Sequence, residues 1–120
     1  MGKSKALLLI GVLLISVGGC ASGGSDPYSR AVEHYGRGRI NESISEYQHA
    51  IRQNPANPLP RFNLAVIYQD QGRLDEAEKL YRSIVSQHPE FASAWSNLAS
   101  IQEKRGDNTG AEESYRLAVE

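Results

Sequence analysis

The chain repeats itself every 34 residues. Gly38, Gly72 and Gly106 stand at that interval, as do Tyr47, Tyr81 and Tyr115, and Pro55 and Pro89. Ser43, Ala77 and Ala111 keep the same step, and so do Ala50, Ile84 and Ala118. A fixed period of this length means one supersecondary unit copied along the chain, each copy burying its apolar side against the next. Within the unit the apolar spacing is helical: Leu64, Ile67, Tyr68 and Ala77, Leu80, Tyr81, Ile84 form i, i+3, i+4 sets. No stretch alternates with period two for long enough to make a strand.

Each recurring column has a physical task. Small residues at Ser43, Ala65, Ala77, Ala99 and Ala111 allow close helix–helix approach, and the tyrosines one turn later fill the space between units. Gly38, Gly72 and Gly106 are placed to end first helices, where a left-handed residue is needed. Pro55 and Pro89 are placed to end second helices. Asn41, Asp75 and Thr109 share a column and read as N-caps, with Glu78 and Glu112 at capping-box spacing from the last two. Asp26-Pro27 reads as N-cap and N1 of a shortened first helix. The predicted helices are 28–36, 42–53, 59–71, 76–87, 92–105 and 110–119.

From Pro27 onward this pattern resembles the tetratricopeptide repeat (TPR) family. Trp95-Ser96-Asn97-Leu98-Ala99 carries the first-helix motif, and Arg61-Phe62-Asn63-Leu64-Ala65 with Tyr68 carries it without the tryptophan. The second-helix motif appears as Ser43/Tyr47, Ala77/Tyr81 and Ala111/Tyr115. The resemblance implies an all-α fold, a right-handed superhelical stack of about three helix–turn–helix hairpins. The expected units are 27–57 (degenerate, with Pro27 and Arg30 in the tryptophan and leucine columns), 58–91 and 92–120 (incomplete). The face of the third unit, including parts of Trp95, Leu98, Tyr115 and Ala118, is expected to be open. A truncated sequence, a homodimer through that end or a partner that covers it would each account for this.

The N-terminus reads as an address. Lys3 and Lys5 precede an apolar run of twelve, Ala6 to Val17. A spanning helix needs about 20 apolar residues, whereas about 7–15 suit a secretory leader. Val17-Gly18-Gly19-Cys20 is similar to the lipobox of bacterial lipoproteins, although Gly18 departs from the usual Ala or Ser. The resemblance implies cleavage of residues 1–19 and diacylglyceryl and N-acyl lipid on Cys20, the sole cysteine. Ala21, in place of the aspartate that retains lipoproteins at the inner membrane, points by the same family rule to the outer membrane, facing the periplasm. Residues 20–26 then form a lipidated, flexible tether of roughly 20 Å reach. Loss of Lys3 and Lys5 leaves 11 Lys and Arg against 14 Asp and Glu, a net charge of −3, so lipid rather than charge would anchor the protein.

Charge and motif content exclude several chemistries. A near-neutral chain lacks the clustered cations that hold nucleic acid. A single cysteine rules out a disulfide framework or a cysteine-based zinc site. His34, His49 and His88 fall in three different repeat columns, and none has a second histidine four residues on. No nucleophile elbow, phosphate loop or dinucleotide fingerprint occurs. Arg37, Arg39, Lys104 and Arg105 lie at first-helix C-termini, where the helix dipole favours cations; a basic binding patch is the alternative reading. The chain is therefore expected to be non-catalytic, with no cofactor and no metal.

What remains is a surface. In TPR proteins first helices line a concave groove for peptides or partner helices. By register the groove falls on Leu59, Phe62, Asn63, Val66, Gln69 and Asp70, then on Ser93, Ser96, Asn97, Ser100, Glu103 and Lys104. Phe62 and Val66 have two readings, apolar anchors for a ligand or packing against neighbouring helices. Asn63 and Asn97 occupy a column that the family uses to hold a ligand backbone. The Lys/Asn/Arg set of chaperone-tail-binding TPRs is missing, with Phe62, Val66, Ser96 and Ser100 in its place. The function expected is a lipid-anchored adaptor for another envelope protein, in pilus or secretin assembly, cell-wall enzyme scaffolding or polysaccharide export. The alternative is a structural homo-oligomer joined through the third unit.

Overall fold

A computed structural model describes residues 26–120. Six helices follow one another: α1 Pro27–Gly36, α2 Ile40–Gln53, α3 Pro58–Asp70, α4 Leu74–Gln87, α5 Ala92–Lys104 and α6 Asn108–Val119. No strand occurs among the described residues. The helices pair as three hairpins, α1/α2, α3/α4 and α5/α6, and α2 packs on α3 as α4 packs on α5. The result is an elongated stack of 46 × 26 × 22 Å, as the period predicts. The leader, Cys20 and most of the tether lie outside the described residues.

The three hairpin turns are alike. Gly38, Gly72 and Gly106 have φ of 76°, 78° and 80°, a conformation that costs an L side chain roughly 1–2 kcal/mol. Each turn closes with two hydrogen bonds of the Schellman motif. In the first, the Gly38 amide donates to the Tyr35 carbonyl at 2.9 Å and Arg39 to His34 at 2.8 Å. Gly72 with Gln69 and Arg73 with Tyr68 repeat it at 3.0 and 2.8 Å, and Gly106 with Glu103 and Asp107 with Gln102 at 3.0 and 2.9 Å.

This closure corrects the expected N-caps. The residue after each glycine is the cap, so Arg39, Arg73 and Asp107 precede helices that start two residues earlier than predicted. Arg39 and Arg73 make no side-chain cap bond, while Asp107 accepts from the Gly110 amide at 2.9 Å. Asn41, Asp75 and Thr109 fall inside the first turn. Asp75 is freed to meet Arg105 of the next hairpin, which also lies 3.5 Å from Glu78. The amphipathic period marks the buried face of a helix, but a Schellman turn leaves only one residue between its glycine and the next helix, and the period does not count that residue.

Other boundaries follow the sequence. The Asp26 carboxylate accepts from the Ser29 amide at 3.0 Å, ahead of Pro27 at the first helical position. Asn57 accepts from the Leu59 amide at 3.1 Å before Pro58. α2 and α4 stop before Pro55 and Pro89, which force Asn54 and His88 out of the helical region (φ −142° and −133°). Ala31, Ala65, Ala77 and Ala99 are fully buried. Ser43 takes the same small slot and donates its hydroxyl to the Ala31 carbonyl at 2.7 Å, so the buried oxygen is satisfied.

Candidate interaction surface

One packing unit recurs between hairpins and decides which groove residues are available. A second-helix tyrosine stands edge-on to an aromatic ring of its own first helix. Tyr47 meets Tyr28 with centroids 5.8 Å apart, and Tyr81 meets Phe62 at 5.9 Å. An asparagine of the following first helix holds the phenol. Asn63 Nδ2 donates to the hydroxyls of Tyr47 at 3.2 Å and Tyr28 at 3.0 Å, and Asn97 Nδ2 donates to Tyr81 at 3.0 Å. The Tyr81 hydroxyl in turn donates to Gln69 at 2.9 Å.

Several expected ligand contacts are therefore engaged internally. Phe62 is buried and also stacks at 5.2 Å on Phe91, which precedes α5. Val66 is buried as well, so of the two readings for this pair the structure places both in the core. Leu59 is half-buried against the same cluster. Asn63 is fully buried and clamps two tyrosines; its amide nitrogen faces the protein rather than a ligand. Asn97 and Gln69 hold Tyr81, and Glu103 accepts from the Tyr115 hydroxyl at 3.1 Å.

The third hairpin differs. The ring column runs Tyr28, Phe62, Ser96, and the column one turn later runs Val32, Val66, Ser100. Two hairpins thus fill this wall from within, and the third presents two half-buried serines. Tyr115, lacking an edge-on ring, is 40% exposed, where Tyr47 and Tyr81 are fully buried. Ser96, Ser100 and exposed Asp70, Ser93 and Lys104 make no side-chain hydrogen bond or ion pair among the described residues. Of the twelve groove residues, these five are the ones the fold does not use. The signal was present in the sequence, as a change from ring and valine to serine at a fixed register.

At the third unit, Val119 is exposed and Tyr115 partly so, whereas Leu98 is fully buried and Trp95 half-buried, its indole N–H donating to the Pro89 carbonyl at 2.8 Å. Leu98 is thus not part of an open face. Among the first-helix cations, Arg37 pairs with Glu33 at 3.0 Å and Arg105 with Asp75, while Arg39 and Lys104 form no salt bridge among the described residues. His34, His49 and His88 sit on α1, α2 and the turn after α4; His88 Nε2 lies 3.1 Å from the Ala56 carbonyl, tying the turns that follow α2 and α4.

The buried phenols couple stability to pH. Burial pushes the Tyr28 hydroxyl from 10.0 up to about 12, and burial raises Tyr47 and Tyr81 as well. A folded value above the unfolded one gives stability that is complete below pH 10.0 and falls as pH rises toward 12. We expect alkaline unfolding in which the tyrosinate absorbance of these residues rises together with the loss of helical circular dichroism. Tyrosinate forming in full while the helices persist would contradict the buried clamp.

The tetratricopeptide repeat family model matches residues 34–101 and 68–119. Among solved structures, the chain superposes on MamA with a TM-score of 0.73 at 22% identity, over 78% of this chain and 54% of that one. The Sgt2 TPR domain from Aspergillus fumigatus gives 0.70 at 24% identity, covering 82% and 66%. The second TPR of Spaghetti (RPAP3), bound to the HSP90 peptide SRMEEVD, gives 0.72 at 18%, covering 82% and 91%. The chain thus spans about half the length of MamA. No curated protein matches it.

Proposed function

This chain belongs to the tetratricopeptide repeat family, and we propose that it is a lipid-anchored interaction scaffold of the bacterial cell envelope. The protein holds a second envelope protein, or an extended segment of one, along the wall formed by α3 and α5. The observation that carries this reading is the change at Ser96 and Ser100: the solenoid packs its own rings and valines into this wall twice and leaves it to small polar residues the third time. A ligand segment of mixed character suits it, with side chains entering beside the serines and polar groups meeting Asp70, Ser93 and Lys104. The peptide-bound RPAP3 domain supports the use of such a fold for segment binding, but Phe62, Val66, Ser96 and Ser100 replace the polar and basic set of chaperone-tail binders, so the segment is of another kind.

The anchor rests on Val17-Gly18-Gly19-Cys20 and the apolar run before it. With diacylglyceryl and N-acyl chains on Cys20, the short tether keeps the groove beside the outer membrane, on its periplasmic side. Pilus or secretin assembly, cell-wall enzyme scaffolding and polysaccharide export are the pathways in which such an adaptor serves. Palmitate labelling of cells producing the wild type and Cys20→Ser tests the anchor. We expect label on the wild type and none on Cys20→Ser. An unlabelled wild type, or equal label on both, would overturn it.

A further inference from the structure

The opposite side of α3 carries a second groove, of 510 Å³, between α2 and α4. Its floor and apolar walls are Ile51, Leu64, Tyr68 and Leu80, and Arg52 and Lys79 stand on its two sides. At about 100° per residue, Leu64 and Tyr68 point away from Phe62, Val66 and Gln69, so this groove and the wall discussed above face opposite ways. Glu76, the remaining charged lining residue, is held by Arg73 at 2.6 Å. Neither Arg52 nor Lys79 forms a salt bridge among the described residues, although Lys79 acts electrostatically on Glu76.

The next interface of the same solenoid serves as an internal control. There the six positions read Val85, Leu98, Gln102, Ser114, Ser86 and Glu113. The Ser114 hydroxyl donates to Gln102 at 2.7 Å, and Glu113 is paired with Arg116 at 2.7 Å. An apolar groove flanked by two unpaired cations is thus a property of one interface and not of the repeat.

We propose that this groove is a second docking site, for an acidic amphipathic helix of a partner protein. The charge complement is carboxylates for Arg52 and Lys79; the apolar complement is a stripe at i, i+3, i+4, i+7 laid on half-exposed Ile51 and Leu80. The groove is open along its length and does not enclose a small molecule to the about 70–90% that a ligand pocket does. A helix lying between α2 and α4 buries the floor by the packing that the stack already uses between hairpins.

The test is fluorescence anisotropy with the full chain in mild detergent and two labelled amphipathic peptides, one with glutamates flanking a leucine stripe and one with lysines. We expect the acidic peptide to bind and the basic one to bind at least tenfold more weakly. Arg52→Glu/Lys79→Glu, two exposed substitutions checked by circular dichroism, should reverse that preference. The variant leaves Asp70, Ser93, Ser96, Ser100 and Lys104 untouched, so its outcome is separate from that of the first groove. Equal binding of the two peptides, or acidic-peptide binding unchanged by the variant, would overturn the proposal. So would self-association of the chain that the variant abolishes, since the occupant would then be a second copy.

Discussion

Tyr81→Ala is expected to cost about 4 kcal/mol, on the scale of large aromatic truncations in a core. Tyr81 is fully buried, stands edge-on to Phe62, and joins Gln69 of its own hairpin to Asn97 of the next. In a solenoid, stability is a sum of units and nearest-neighbour interfaces, and this side chain belongs to both. For a domain of this size the loss corresponds to a melting temperature roughly 20 °C lower. Tyr81→Phe keeps the ring but leaves Asn97 and Gln69 without the hydroxyl, for about 1–2 kcal/mol. Tyr115→Ala, in the same repeat column but 40% exposed, should cost less than about 1 kcal/mol. Thermal melts of the three variants followed by circular dichroism check the order; equal effects of Tyr81→Ala and Tyr115→Ala would refute the column's unequal burial.

Phe62→Ala is expected to act on folding first. The ring is buried between Tyr81 and Phe91, and its removal should cost about 3–5 kcal/mol. Small solenoids have little stability in reserve, so much of the variant would be unfolded near its working temperature. Any binding it loses would follow from that. A denaturant titration should show a lower midpoint; a midpoint equal to wild type, with binding lost, would return Phe62 to the list of ligand anchors.

The hairpins, glycine turns, proline stops and tyrosine columns were legible because each is a repeated chemical need at fixed spacing. Gly72 is readable because only glycine sits easily at a φ of 78°. The starts of the second helices were not, since Asp75 looks like a cap until the Schellman turn brings Arg73 into that position. The groove was half legible. Register placed Phe62, Asn63 and Ser96 on one wall, but could not tell a ring turned to a ligand from one turned to Tyr81. The basic pair Arg52 and Lys79 stood 27 positions apart in two different helices and came together only on folding. A comparison of columns 52 with 86 and 79 with 113 would have flagged them.

The central claim is that the polar wall at the third hairpin holds an envelope partner. Affinity capture of tagged, lipidated protein from detergent-solubilised envelopes, beside Ser96→Arg/Ser100→Arg, tests it most directly. Neither serine side chain makes a hydrogen bond in the fold, so the variant should melt close to wild type while its longer side chains occupy the wall. We predict one specific protein retained by wild type and lost by the variant. Retention of the same protein by both, or capture only of further copies of this chain, would contradict the account.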